Sequence, residues 1–110
     1  MATSTHLSST SGTGPSLNTT SKILHAIAHP LRIRMLQYID EHQPVCVNKI
    51  NVDLNIDQSI TSQHLRLLRM AELVEYTRDG KYINYSINPK RIAEVTQVAK
   101  ELAGLFDQQD

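Results

Sequence analysis

Four short polar side chains stand within the six positions from Gln58 to Gln63: Gln58, Ser59, Ser62 and Gln63. Near the start of a helix, such amides and hydroxyls suit the major groove of DNA. Gln can bond bidentately to adenine there, and Ser can bond to a phosphate or to either kind of base edge. His64 and Arg66 continue the segment. Arg66 is expected to meet a phosphate, and His64 to bond locally or to a phosphate. Farther on, Arg78-Asp79-Gly80-Lys81 sets two cations on what its Asp-Gly pair marks as a tight turn. That tip suits contact with the DNA backbone or minor groove. The competing readings are a solvated helix face and a charged tip that keeps a sheet edge soluble. The surrounding elements decide between them.

Thiol and imidazole chemistry is thinner. Cys46 is the only cysteine and is followed by Val47 and Asn48. A thiolate metal site needs several converging sulfurs or nitrogens, so Cys46 reads as a small apolar residue. His25 and His29 lie four apart, but Pro30 interrupts the helix that would align them, and a pair needs further ligands. No metal and no cofactor are expected. An enzyme built on Cys46 and a histidine would need an orienting third group and an oxyanion loop, and neither accompanies them. A lone cysteine makes no intramolecular disulfide, which fits a reducing compartment, and the cytoplasm is the expected location.

The elements that must position these residues follow from periodicity. Ser21 is the expected N-cap of a first helix carrying Ile23, Leu24, Ile27 and Ala28, which ends at His29-Pro30. Pro30 opens a second, with Leu31, Met35, Leu36 and Ile39 on one stripe. Val47, Ile50 and Leu54 mark a short third helix stopping at Asn55, a residue that tolerates left-handed geometry. Asp57 is placed to cap a fourth, whose Thr61, Leu65 and Leu68 line the inner face. Two short helices joined by a tight turn predict a helix-turn-helix. The period then changes to two: Val74 and Tyr76, the turn, and Tyr82 to Ile87 predict a two-stranded hairpin. A last helix after Asn88-Pro89 repeats Ile92, Val95, Ala99, Leu102 and Phe106 in alternating steps of three and four, a seam suited to packing on another helix. The expected fold is mainly α (α+β), a winged helix-turn-helix with a hairpin wing.

Charge agrees with that placement. The 110 residues carry 11 Lys and Arg against 11 Asp and Glu, yet the balance is uneven. From Asp57 to Arg91 six basic residues oppose four acidic ones, whereas after Arg91 only Lys100 opposes Glu94, Glu101, Asp107 and Asp110. An anion-binding surface therefore belongs to the middle of the chain. The first 21 residues hold twelve Ser or Thr and no charge, so residues 1–20 are expected to form a disordered tail before one domain over 21–110. A chain this short has one modest core. It shows neither a secretory leader pattern nor 18 consecutive apolar residues, and no membrane association is expected.

Three stretches resemble the ArsR/SmtB family of bacterial transcriptional repressors: His29-Pro-Leu-Arg-Ile-Arg-Met-Leu36, Ile56-Asp-Gln-Ser-Ile-Thr-Ser-Gln-His-Leu-Arg-Leu-Leu-Arg69, and Leu73-Val74 with the hairpin Arg78 to Ile87. The resemblance spans about residues 21 to 106. It implies a homodimer built on the first and last helices, through Ile23, Ile27, Ile92, Val95, Ala99, Leu102 and Phe106. It also implies binding of double-stranded DNA at an imperfect inverted repeat, with release by a chemical signal. The family's DNA-contact pattern falls on Gln58, Ser59, Ser62, Gln63, Arg78 and Lys81. Ile60-Thr61 departs from the pattern, in which the bulkier apolar residue comes second. The family's Cys-Val-Cys metal box is reduced here to Cys46-Val47-Asn48, and its final-helix histidines are missing between Asn88 and Asp110. The residues name no inducer. Zero net charge motivates one rival, a winged-helix module that binds protein through the seam and hairpin and has weak DNA affinity.

Overall fold

The computed structural model describes residues 16–107, with side chains as far as Leu105. Helix α1 (Leu17–Ile27) starts earlier than expected, because Ser16 rather than Ser21 is its N-cap. The Ser16 hydroxyl oxygen accepts from the Thr19 amide at 3.1 Å. Ile23 and Ala26 anchor this helix in the interior, and extending an anchored helix costs little compared with nucleating one. Leu17 to Thr20 therefore belong to α1 and not to the tail. Residues 1–15 of that expected tail lie outside the described residues.

Helix α2 (Pro30–His42) places proline in its first turn, where a missing N–H costs nothing. Its N-cap is His29, whose Nδ1 accepts from the Leu31 amide at 3.1 Å. Strand β1 (Val45–Cys46) leads into α3 (Val47–Asp53), and α4 (Gln58–Met70) follows. Strands β2 (Val74–Asp79) and β3 (Tyr82–Ile87) precede α5 (Pro89–Asp107). The helices, turn and hairpin assemble as a winged helix-turn-helix.

The wing is one strand larger than expected. The antiparallel sheet has the order β1-β3-β2, with Val45 opposite Tyr85 and the hairpin registered from Val74 opposite Ile87 to Asp79 opposite Tyr82. A two-residue strand carries no readable period, which is why β1 escapes sequence analysis. Cys46, read from the sequence as a small apolar residue, ends β1 and lies half-buried. Just upstream, the Gln43 side-chain oxygen accepts from the Ile87 amide at 2.8 Å.

Met35 and Ile39 from α2, Ile50 from α3, Leu65 and Leu68 from α4, and Leu73 before β2 are completely buried. Val45, Val74 and Tyr85 close this core from the sheet, and Ile92 and Val95 of α5 pack against it. Between α2 and α3, the Tyr38 hydroxyl donates to Asp53, which also pairs with Lys49 at 3.2 Å. Burial, then the Asp53 carboxylate, pushes the Tyr38 hydroxyl up to about 12, and the same bond holds Asp53 below the usual carboxylate value.

Helix α4 ends in a left-handed residue, Glu72 at φ +60°, and the Leu73 amide returns to the Leu68 carbonyl at 2.9 Å. The start of α5 is tied to this turn. The Asn88 side-chain amide donates to the Glu72 carbonyl at 2.9 Å, and Arg91 pairs with Glu72 at 3.3 Å and with Glu94 at 2.9 Å. Beyond this anchor α5 leaves its apolar residues open, with Leu102 40% and Leu105 59% exposed. Among the described residues, no helix is long and apolar enough to cross a membrane.

Candidate nucleic-acid interface

The turn between α3 and α4 is built from backbone bonds. The Leu54 amide donates to the Ile50 carbonyl at 3.0 Å and the Ile56 amide to the Asn51 carbonyl at 2.9 Å, while Asn55 takes φ +55°. Asn supports that left-handed geometry at small cost. Asp57 then caps α4, accepting from the Ser59 amide at 3.0 Å. The amide and hydroxyl of Ser59 together hold its carboxyl below the usual carboxylate range.

On α4, Thr61, Leu65 and Leu68 face inward, and Gln58, Ser62, Gln63 and Arg66 are exposed. The Ile60-Thr61 order has a physical consequence. Thr61 occupies the buried position at 0% exposure, its hydroxyl donating to the Asp57 carbonyl at 3.0 Å, and Ile60 is left 43% exposed beside the polar face. A β-branched residue of smaller volume fits at the turn because its one polar group is satisfied there.

Two expected contact residues are occupied otherwise. The Ser59 hydroxyl donates to the Asp57 carboxylate, so its single proton is committed to the cap. His64 turns away from the polar face: it is half-buried, its Nδ1 lies 3.2 Å from a terminal nitrogen of Arg32, and its ring is tilted against His29 with centroids 4.8 Å apart. The local bond is thus the one it makes. Burial first, then the charges of His29 and Arg32, lower its pKa from the ordinary 6.5.

Arg78 and Lys81 lie at the exposed hairpin tip. The two-residue loop is Gly80-Lys81, and Gly80 at φ +62° supplies a conformation that an L side chain adopts only with strain. The structure also places Arg69 over the Tyr76 ring, 4.4 Å from its centroid, joining the end of α4 to β2. Sequence analysis missed this pair, since neither spacing nor residue type links a helix arginine to a strand tyrosine.

The expected pairing residues divide. Ile23 is completely buried in its own chain and has no surface to offer a partner, which corrects its assignment. Ile27, Ile92 and Val95 are half-buried against the chain's own core, whereas Ala99 and Leu102 are exposed. The backbone of Phe106 belongs to α5, and its side chain lies outside the described residues. Leu24 and Leu105 are exposed apolar residues on the same two helices that the expected pattern left out. Among the described residues, no three His, Cys, Asp or Glu converge to hold a metal ion.

A family profile described as "Bacterial regulatory protein, arsR family" matches residues 29–76, from the N-cap of α2 into β2. The transcriptional repressor PagR of Bacillus anthracis is 30% identical over 83 residues, 76% of this chain and 83% of that protein. The PagR crystal structure superposes with a TM-score of 0.63, covering 74% of this chain and 94% of PagR. A solution structure from Mycobacterium bovis, a homodimeric winged helix-turn-helix DNA-binding domain, shares the fold at a TM-score of 0.67, with 20% identity and 86% of each chain covered. An uncharacterised HTH-type transcriptional regulator of Mycobacterium tuberculosis, Rv0081, is 34% identical over 82 residues, 74% of this chain and 72% of its own length. On these matches, and on a helix-turn-helix and wing that place the same segments alike, the chain belongs to the arsR family of bacterial regulatory proteins.

Proposed function

We propose that this protein is a cytoplasmic, homodimeric repressor of transcription that reads an inverted-repeat operator in double-stranded DNA and has no catalytic activity. The observation carrying this reading is the face of α4. Gln58, Ser62, Gln63 and Arg66 are exposed on a helix whose opposite face is locked into the core by Thr61, Leu65 and Leu68. A rigid helix presenting free amides can seat in a major groove, and Arg78 and Lys81 on the wing supply cations for the flanking backbone. Ser59 contributes at the helix start by donating to the Asp57 cap. PagR is a transcriptional repressor, which supports the direction of regulation.

The partner copy would cover the apolar residues left open on α1 and α5: Leu24, Ala99, Leu102 and Leu105, flanked by Ile27. Two copies joined there would present two α4 helices to successive major grooves. This explains why a protein of zero net charge can select DNA: affinity comes from two small basic faces acting together.

The test is a titration of the full chain into DNA from upstream of its own gene and into random duplex, over a range of salt concentrations. Selective binding that weakens steeply with salt is expected, because displaced counterions set the slope. Equal, weak binding to selected and random duplexes would instead favour a protein-binding module. Within the same assay, Gln63→Ala should cost about 1 to 3 kcal/mol at the operator and much less on random DNA. Equal losses on both would make Gln63 a backbone contact.

A further inference from the structure

Arg32 is buried, and no carboxylate pairs with it among the described residues. Instead its Nε donates to the Ala26 carbonyl at 2.6 Å and one terminal nitrogen donates to the His25 carbonyl at 3.0 Å. Both carbonyls belong to the last turn of α1, the negative end of that helix, which suits a cation. The other terminal nitrogen faces His64 Nδ1 on α4 at 3.2 Å. One side chain thus joins the end of α1, the first turn of α2 and the DNA-reading helix.

The bond fixes the state of the imidazole. A guanidinium only donates, so Nδ1 of His64 must accept, and the neutral ring carries its proton on Nε2. Protonating Nδ1 would place a donor against a donor and a second positive charge beside Arg32. The titratable and charged groups acting on His64 are His29, from the turn between α1 and α2, and Arg32 from α2; α1 meets Arg32 through backbone carbonyls. His29 reinforces the constraint, since its own Nδ1 accepts the Leu31 amide and caps α2.

We propose that Arg32 and His64 are positioning residues for DNA reading: their bond holds α4 against the end of α1, and protonation of His64 releases it, weakening operator binding in acid. This rests on the repressor reading above. The sign follows from the neutral ring being the bound form. An imidazole favoured neutral in the assembled state takes up its proton more readily when released, so the assembled state loses ground as pH falls below the ordinary 6.5.

His64→Asn separates this effect from other charge changes. Asn keeps a carbonyl oxygen at the distance of Nδ1 from Cβ and takes up no proton, and every other histidine is the same in both proteins. Operator duplex selected from a random library at pH 7.5 is titrated with wild type and variant at pH 7.5 and pH 5.5, at constant ionic strength. The two are expected to bind alike at pH 7.5, and wild type to be weaker than the variant at pH 5.5, by up to about tenfold for each subunit. A ratio of affinities that does not change with pH overturns the proposal. A second readout needs no DNA: nitrogen NMR of the full chain should show the His64 proton on Nε2 and a titration midpoint below 6.5. A proton on Nδ1, or a midpoint at or above 6.5, overturns the tether. Failure of wild type to select any duplex at pH 7.5 would overturn the repressor reading and the DNA half of this proposal, and the ring titration then decides the tether by itself.

Discussion

Leu102→Asp is expected to convert the protein to a monomer and to weaken operator binding by roughly a hundredfold or more, because two half-sites must be held about one helical turn of DNA apart. Leu102 is 40% exposed on α5, beyond the Arg91 anchor that ties this helix to Glu72. A carboxylate there meets water in the single chain and costs the fold little. Buried against a second apolar helix it would be an unpaired charge, which interfaces do not tolerate. Sedimentation velocity and operator titration on the same preparation check both parts. Dimeric behaviour retained by the variant, or a monomeric wild type, would sink the proposed pairing. Ile23→Asp is no substitute, because Ile23 lies wholly inside its own chain and its replacement would unfold α1 from the core.

The second large effect concerns stability. Leu65→Ala should lower the unfolding free energy by about 2 to 5 kcal/mol, the range found when a fully buried leucine is cut back and its cavity remains. Leu65 is completely buried on the inner face of α4, between Thr61 and Leu68. Small domains hold about 5 to 15 kcal/mol in reserve, so such a loss is a large fraction of the total. Urea denaturation followed by circular dichroism measures it. Ser62→Ala, on the exposed face of the same helix, serves as the control and should change stability by less than about 0.5 kcal/mol. Comparable losses for the two variants would mean that α4 is not seated by its Thr61-Leu65-Leu68 face.

Much of the architecture is legible because its signals are local. Asp57 before Gln58 starts α4 through a bond to a residue two positions away. Asn55 stops α3 through a single backbone angle, and Gly80 turns the hairpin in the same way. The stripe Thr61, Leu65, Leu68 needs only the helical period to be recognised as an inner face. Elements whose evidence is not local are the ones missed. Strand β1 exists because β3 offers it an edge 38 residues later, with Cys46 opposite Asn84. The α1 start is set by Ser16 rather than Ser21, and a tract rich in Ser and Thr offers several caps that propensity alone cannot rank.

Side-chain roles divide in the same way. Residue type and helical spacing are enough to place Gln58, Ser62, Gln63 and Arg66 on an open polar face, and Arg78 and Lys81 on a turn, since each placement needs only the chain's own periodicity. The fates of Ser59, His64 and Ile23 depend on atoms brought from elsewhere. The Ser59 hydroxyl donates a hydrogen bond to the capping carboxylate, His64 meets an arginine 32 positions earlier, and Ile23 is closed in by packing that no pattern within α1 specifies. A one-dimensional pattern fixes which way a side chain leaves its helix. What it meets there is settled by packing between elements distant in the chain, and at Arg32 that packing joins three helix segments through one guanidinium.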